Sequence, residues 1–167
     1  MKYLFIILAA LIVGTAHGYE VNPYRWRTMP VGYTAAPGLA PYADAATAQW
    51  AAWGDVTFTT GDQVVVHFDD TLTVAGLAST AFYLSSGTLV HCDIAINSVQ
   101  WPFWDEGRRQ RVVTHEMGHC LGLAHSTVTS VMLYNASSPP TADDMAGILT
   151  LYPRAGRRLV AAGLGRD

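Results

Sequence analysis

The stretch that most constrains this chain is the segment HEMGHCLGLAH, which spans residues 115–125. His115 and His119 are four residues apart, so on a helix their side chains share one face and can reach the same metal ion. Glu116 projects from nearly the same side and is free to accept a proton from water activated by that ion. The spacing therefore predicts a helix that carries two metal ligands and a general base.

Two further residues extend this pattern. Gly122 can adopt a positive φ and end the helix, and the chain then turns so that His125 supplies a third nitrogen. Three imidazoles with one open position are typical of a catalytic zinc site, whereas structural zinc sites are usually closed by four protein ligands. The alternative is a helix with three unrelated histidines, which the added glycine and histidine disfavour.

The composition is that of one folded domain. The chain has 167 residues, of which 50% are hydrophobic and 14% are charged, so it can bury a substantial core. The formal net charge is −3 and Lys2 is the only lysine, which excludes the basic surface of a nucleic-acid-binding protein. The sequence has no internal repeat and no second domain, and we expect a monomer.

The N-terminus is typical of a signal peptide that ends at Gly18. Lys2 precedes an apolar run at residues 4–13 that is too short to span a membrane comfortably. Ala16 and Gly18 are the small residues of a site for cleavage before Tyr19. A retained N-terminal anchor helix is the alternative. With cleavage we expect a secreted, extracellular protein, or a periplasmic one in a Gram-negative host, without membrane association.

The chain has two cysteines, Cys92 and Cys120, and both follow the signal peptide. Export favours a disulfide, and the even count permits one. Cys120 lies on the metal-binding helix and Cys92 on the strand pattern before it, so a bridge would tie the helix to the sheet. Two free buried thiols are the alternative.

Five segments have the pattern of short strands. They are residues 24–33, 56–60, 63–68, 76–82 and 89–96. Pro30 suggests that the first strand has an edge position or a bulge. Gly61-Asp62 is a plausible turn between the second and third strands.

Three segments have helical patterns. An alanine-rich segment at residues 43–53 has aromatic residues at helical spacing, which predicts a buried aromatic face. The chain becomes helical again from Glu106 or Gly107 and continues through the histidine motif. Thr141 has an acidic residue three positions later, which predicts a capping box at the start of a final helix that Pro153 ends.

The histidine motif and the order of the elements resemble the metzincin metallopeptidases, and most closely the matrixin branch with the matrix metalloproteinases. The resemblance covers roughly residues 24–152, and it includes Ser126 directly after the third histidine and the segment DDMAGI at residues 143–148. It implies an α+β catalytic domain with a twisted mixed sheet of about five strands and three main helices. The active-site helix would be followed by a Met-turn and a C-terminal helix.

The resemblance also implies the domain organisation and the activity. The signal peptide would occupy residues 1–18, a zinc peptidase domain residues 19–153, and a loose tail residues 154–167. The activity would be that of a secreted zinc metalloendopeptidase, a hydrolase that cleaves peptide bonds in extended protein or peptide substrates. One catalytic zinc ion would be held by the three histidines, and Glu116 would be the general base for a zinc-activated water.

Residues outside the motif also match the family. Gly76, Leu77 and Ala78 look like the edge strand to which an extended substrate pairs through its main chain. Met132 falls where metzincins place the methionine of the Met-turn, a hydrophobic floor beneath the zinc. Tyr134 stands in an M-x-Y order similar to astacins and serralysins, where the tyrosine can stabilise the oxyanion; otherwise it lines the pocket wall.

The M-x-Y order at Tyr134 departs from matrixins, which typically follow the methionine with Tyr-Pro, and the chain departs from matrix metalloproteinases in two further respects. Those enzymes carry a structural zinc ion and calcium ions, but of the histidines in that region only His91 matches, so we expect neither structural zinc nor calcium. The sequence also has no cysteine-switch segment, so any latency would have another source.

Three other readings compete with a matrixin-like peptidase. A thermolysin-like site needs a glutamate ligand downstream of the motif, and the glutamates here are Glu20, Glu106 and Glu116, so that class is excluded. A secreted zinc-containing binding module without catalysis would usually have a damaged general base, whereas Glu116 is intact. An enzyme acting on a non-peptide bond is allowed by three histidines but disfavoured by the rest of the resemblance.

Overall fold

The computed structural model describes residues 18–72 and 77–154. The elements in chain order are β1 (Val31–Ala35), α1 (Ala40–Trp53), β2 (Phe58–Thr60), β3 (Val64–Asp69), β4 (Ala78–Ser85), β5 (Thr88–Asn97), a short 3-10 helix (Trp101–Phe103), α2 (Glu106–Cys120) and α3 (Ala142–Leu151). The predicted α+β fold, with a five-stranded mixed sheet and three main helices, is confirmed. The predicted signal peptide up to residue 17 and the predicted tail from residue 155 lie outside the described residues.

The five strands form one sheet in the order β2-β1-β3-β5-β4. The first four of these pair in parallel, and β4 pairs antiparallel with β5. The C-terminal part of β5, at residues 94–97, is buried on both faces. In the part of the chain that the structure describes, the outer edge of β4 has no strand partner.

The first predicted strand is shorter than expected, because residues before Val31 form only isolated contacts with the sheet. Trp26 lies in this segment and is buried, and its indole N–H donates to the backbone carbonyl of Cys120 at 2.7 Å. Side-chain contacts of this kind hold the segment against α2 in place of a continuous strand ladder.

The predicted turn at Gly61-Asp62 does not join a hairpin. Residues 58–60 of β2 pair in parallel with β1, and so do residues 64–66 of β3. The strands β2 and β3 lie on opposite sides of β1. The chain crosses β1 at Gly32, where a Cβ on Gly61 would lie 2.8 Å from the Gly32 Cα. Side chains at the crossing are therefore excluded, and the two glycines allow the backbones to approach each other.

The core lies between the helices and the sheet. α1 packs against α2, and the predicted aromatic face of α1 is buried at Trp50 and half-buried at Trp53. The indole N–H of Trp50 donates to the backbone carbonyl of Thr114 on α2 at 3.1 Å. This hydrogen bond satisfies a buried polar group and fixes the position of α2 relative to α1.

Both ends of α2 are fixed. At its start, the Asp105 carboxylate accepts a hydrogen bond from the backbone N–H of Arg108 at 2.7 Å, which is an N-cap. At its end, Cys120 forms a disulfide with Cys92 on β5, with a Cα–Cα distance of 5.7 Å. The predicted bridge between helix and sheet is therefore present.

α3 begins with the predicted capping box, in which the Asp144 carboxylate accepts from the backbone N–H of Thr141 at 2.7 Å. The helices α1, α2 and α3 are 14, 15 and 10 residues long. Within the described ranges, no helix is long and apolar enough to cross a membrane.

Candidate metal centre and active site

The three histidines of the motif converge at one point. His115 and His119 project from adjacent turns of α2, and His125 reaches them from the segment after the helix. The Nε2 atom of His119 lies 3.0 Å from that of His115 and 3.3 Å from that of His125. Among the described residues, these three form the one group of possible metal ligands.

The return of the chain to His125 depends on Gly122. Its φ is +100°, a conformation that L side chains rarely adopt, and a Cβ there would lie 2.6 Å from the carbonyl oxygen of Tyr24. The helix therefore ends at Cys120, and the chain reverses within the few residues before the third histidine.

Backbone carbonyls orient two of the imidazoles. The Nδ1 of His115 lies 2.7 Å from the carbonyl oxygen of Val131, and the Nδ1 of His119 lies 2.8 Å from that of Leu123. Because a carbonyl oxygen only accepts, Nδ1 carries the proton in each ring, and Nε2 presents its lone pair to the centre. Convergent nitrogen lone pairs repel one another unless a cation or a proton lies between them, so this donor set fits a zinc ion.

The electrostatics of these rings also fit a metal site. Burial lowers the pKa of His115, and burial together with the neighbouring His115 lowers the pKa of His119 to about 4. Both imidazoles are therefore neutral near pH 7, which is the form that binds metal.

Glu116 lies beside the histidines but outside the ligand group. Its side chain is mostly buried, with 8% of the residue exposed, and burial raises the pKa of its carboxyl group while the nearby His119 opposes that shift. The Thr80 hydroxyl on β4 donates a hydrogen bond to its Oε2 atom. A carboxyl group with a raised pKa next to a metal site has the properties of a general base that later acts as an acid.

Met132 lies in the segment that follows His125. It is 2% exposed and packs against α2, where a Cβ on Gly118 would come within 2.5 Å of the Met132 Sδ atom. Its backbone carbonyl accepts from the N–H of Ser126, directly after the third histidine, at 2.8 Å. The structure therefore places Met132 against α2, the helix that carries His115 and His119, and its assignment to a Met-turn stays a prediction.

The histidines and Glu116 line an open cleft of about 530 Å³, in which His115 and Glu116 are buried and His125 is exposed. Residues 77–80 and Phe82 of the β4 region form one wall, and residues 134–136 form part of the opposite wall. Of the predicted substrate-binding edge, Ala78 begins β4 and Leu77 lines the cleft, whereas Gly76 lies outside the described residues.

Tyr134 is at the rim of this cleft and is 81% exposed. Its ring centroid lies 5.0 Å from that of His125. The phenol ring is thus next to the third histidine of the motif.

Two contributions to the site were not foreseen from the sequence. The first is the hydrogen bond from Thr80 to Glu116. The second is the buried carboxylate of Asp144, which accepts from the backbone N–H groups of Val131 at 3.0 Å and Met132 at 3.1 Å. The capping-box pattern identified Asp144 as a helix cap, but no local signal connects it to the methionine loop.

Comparison with known proteins agrees with this geometry. The Matrixin family model matches residues 46–153, which include the three converging histidines, Met132 and α3. Metalloendoproteinase 1-MMP of Arabidopsis thaliana is 45% identical over 49 residues, which are 26% of this chain and 14% of that protein. This chain thus covers only a small part of the plant relative. Because the family model spans more than half of the sequence, the chain belongs to the matrixin family.

Proposed function

We propose that this protein is a secreted zinc-dependent endopeptidase that hydrolyses peptide bonds in extended protein substrates. The observation that carries the proposal is the arrangement of side chains that line the cleft. Three Nε2 atoms converge there, and the mostly buried carboxylate of Glu116 lies beside them without belonging to the ligand set. Membership of the matrixin family supports a metallopeptidase activity.

His115, His119 and His125 would hold the metal, and the carbonyls of Val131 and Leu123 would keep two of the rings in the required tautomer. A bound zinc ion supplies Lewis acidity towards water and towards the scissile carbonyl group. We propose one ion per chain and no structural zinc or calcium.

Glu116 would accept the proton of the attacking water and then transfer it to the amine that leaves. Its raised pKa favours the first transfer, and the second transfer is favourable because the amine that leaves is more basic than a carboxylate. Burial of its side chain below the cleft also limits competition from bulk water.

The substrate would bind as an added strand along the outer edge of β4. The residues proposed to pair with it at the start of this edge are Gly76, Leu77 and Ala78. Main-chain hydrogen bonds along such an edge hold a peptide largely without regard to its sequence. Selectivity would then come from side-chain contacts with the cleft walls, including residues 134–136.

Tyr134 would line this wall, and its phenol is also a candidate donor to the carbonyl oxygen as negative charge develops there. The proximity of its ring to that of His125 supports either role. Replacement of Tyr134 by Phe separates them: a fall in kcat at constant KM indicates the donor, and unchanged kcat restricts Tyr134 to the wall.

The cellular context is part of the proposal. Cleavage of a signal peptide after Gly18 would release the peptidase domain at residues 19–153 and the tail at residues 154–167 as a monomeric protein outside the cytosol. The disulfide between Cys92 and Cys120 supports an oxidising compartment.

The experiment that tests the proposal is removal and return of zinc. The purified protein is treated with a chelator, dialysed, and given one equivalent of zinc, and mass spectrometry counts new peptide termini in denatured casein at each stage. We expect cleavage to disappear with the metal and to return with it. Zinc-loaded protein that binds casein without producing new termini would favour the non-catalytic binding module.

A further inference from the structure

Thr80 connects the substrate-binding strand to the general base. It lies on β4 opposite Ile94 of β5, half-buried, and its Oγ1 atom donates to Oε2 of Glu116. The contact joins two elements that are 36 residues apart in the sequence. One end of this hydrogen bond is therefore fixed by the sheet, and the other end is the group that would move the proton.

The carboxylate of Glu116 needs such a partner. A buried ionised group without a hydrogen bond is costly, and a glutamate side chain has several rotamers that its burial alone does not distinguish. Within the described part of the chain, the Thr80 hydroxyl is the group that donates a hydrogen bond to this carboxylate. With Oε2 held by Thr80, Oε1 remains available to accept a proton from water.

We propose that Thr80 is a positioning residue that fixes the rotamer of Glu116 and directs Oε1 towards the metal site. Because Thr80 belongs to β4, the strand that would pair with the substrate also orients the base. The kinetic consequence rests on the proposed peptidase function, whereas the orientation of Glu116 can be observed independently of activity.

Three variants test this role. Thr80→Val removes the hydroxyl and keeps the shape and β-branching of the side chain, and Thr80→Ser restores a hydroxyl. Thr71→Val is the matched control, because the Thr71 hydroxyl also donates to a carboxylate, that of Asp69 at 2.7 Å, on the exposed surface. Each variant is assayed at equal zinc content with a peptide substrate, so that kcat and KM are separated.

We expect Thr80→Val to lower kcat about ten-fold with KM changed less than about two-fold, the pattern of a lost interaction at the reacting group. Thr80→Ser should recover most of kcat, and Thr71→Val should match the wild type. Wild-type kcat in Thr80→Val, or an equal loss in Thr80→Ser, would overturn the proposal.

Crystal structures of the same proteins without metal give the second readout. In the wild type and Thr80→Ser, Glu116 should occupy one rotamer with Oε2 bonded to the hydroxyl; in Thr80→Val it should rotate or occupy several rotamers. An unchanged Glu116 in Thr80→Val overturns the positioning role even if the wild type proves inactive. Inactivity of the wild type alone would instead contradict the proposed function.

Discussion

The Asp144 carboxylate accepts a hydrogen bond from the backbone N–H of Met132 at 3.1 Å, and it thereby ties the start of α3 to the loop that follows the histidine motif. Asp144 is 1% exposed and also accepts from the N–H groups of Val131 and Thr141. The same loop supplies the Val131 carbonyl that orients His115. The cap of α3 and one of the three converging histidines are thus connected through one carboxylate.

Replacement of Asp144 by Ala should destabilise the fold and weaken metal binding. It would leave three backbone N–H groups without their acceptor, at least two of them buried, so the free energy of unfolding should fall by about 3 to 5 kcal/mol. Zinc affinity should fall about 10- to 100-fold, as is typical when the support of a ligand is lost.

The control for Asp144 is Asp143→Ala, which removes the neighbouring, half-buried carboxylate that accepts from the Ser126 hydroxyl at 2.8 Å. Urea unfolding should show a smaller loss for this variant, and a competition titration with a chelator should give the zinc affinities. Equal losses in both variants would contradict the special role of Asp144.

The disulfide should stabilise the protein by restricting its unfolded state. The bridge between Cys92 and Cys120 spans 28 residues of sequence, which corresponds to about 3 to 4 kcal/mol by loop-closure entropy. Replacement of both cysteines by Ala should lower the midpoint of urea unfolding accordingly. A titration that finds two free thiols in the denatured, unreduced wild type would contradict the bridge itself.

Zinc content should depend on the histidine cluster alone. The wild type should hold one zinc ion per chain after dialysis, and His125→Ala should hold none tightly, because two protein nitrogens remain. His91→Ala is the control, since His91 lies on β5 beside Asp93 and outside the cluster. Elemental analysis decides: a second tightly held zinc that disappears in His91→Ala would contradict a single site.

The metal-free protein should lose stability in acid because of His119. Its pKa is about 4 in the folded state and about 6.5 when unfolded, so the unfolded state binds more protons between these values. The stabilisation is therefore fully present above pH 6.5 and is lost as the pH falls towards 4, with a slope of up to about 1.4 kcal/mol per pH unit.

Comparison of the wild type with His119→Gln measures the contribution of His119 together with its effect on the neighbouring Glu116 and His115, because all other titrating groups are common to both proteins. Denaturant unfolding at several pH values should show the wild type losing stability relative to the variant between pH 6.5 and 4. Parallel pH dependences would show that the imidazole is not buried in its neutral form.

The sequence predicted the parts of the fold that are encoded locally. The histidine motif, the capping box at Thr141 and the aromatic face of α1 depend on spacings within one helix, and the structure has all of them. The predicted disulfide combined two such elements with the redox environment of an exported protein, and it is also present.

Strand pairing was less predictable, because it depends on residues far apart in the chain. The pattern at Gly61-Asp62 indicated a turn, but only the close approach of Gly61 to Gly32 shows that the chain crosses β1 there. The hydrogen bond from Thr80 to Glu116 also joins residues that are far apart in the chain. A threonine in a strand is ordinary, and nothing in its neighbours indicates a contact with the active-site helix.

The most direct test of the central claim is cleavage of denatured casein by the wild type and by Glu116→Ala at equal zinc content. Since Glu116 is not a ligand, the variant should bind zinc normally and produce almost no new peptide termini, whereas the wild type should produce them readily. Ordinary cleavage by Glu116→Ala with zinc bound would contradict the assignment of Glu116 as the general base. Absence of cleavage by both proteins would contradict the endopeptidase function.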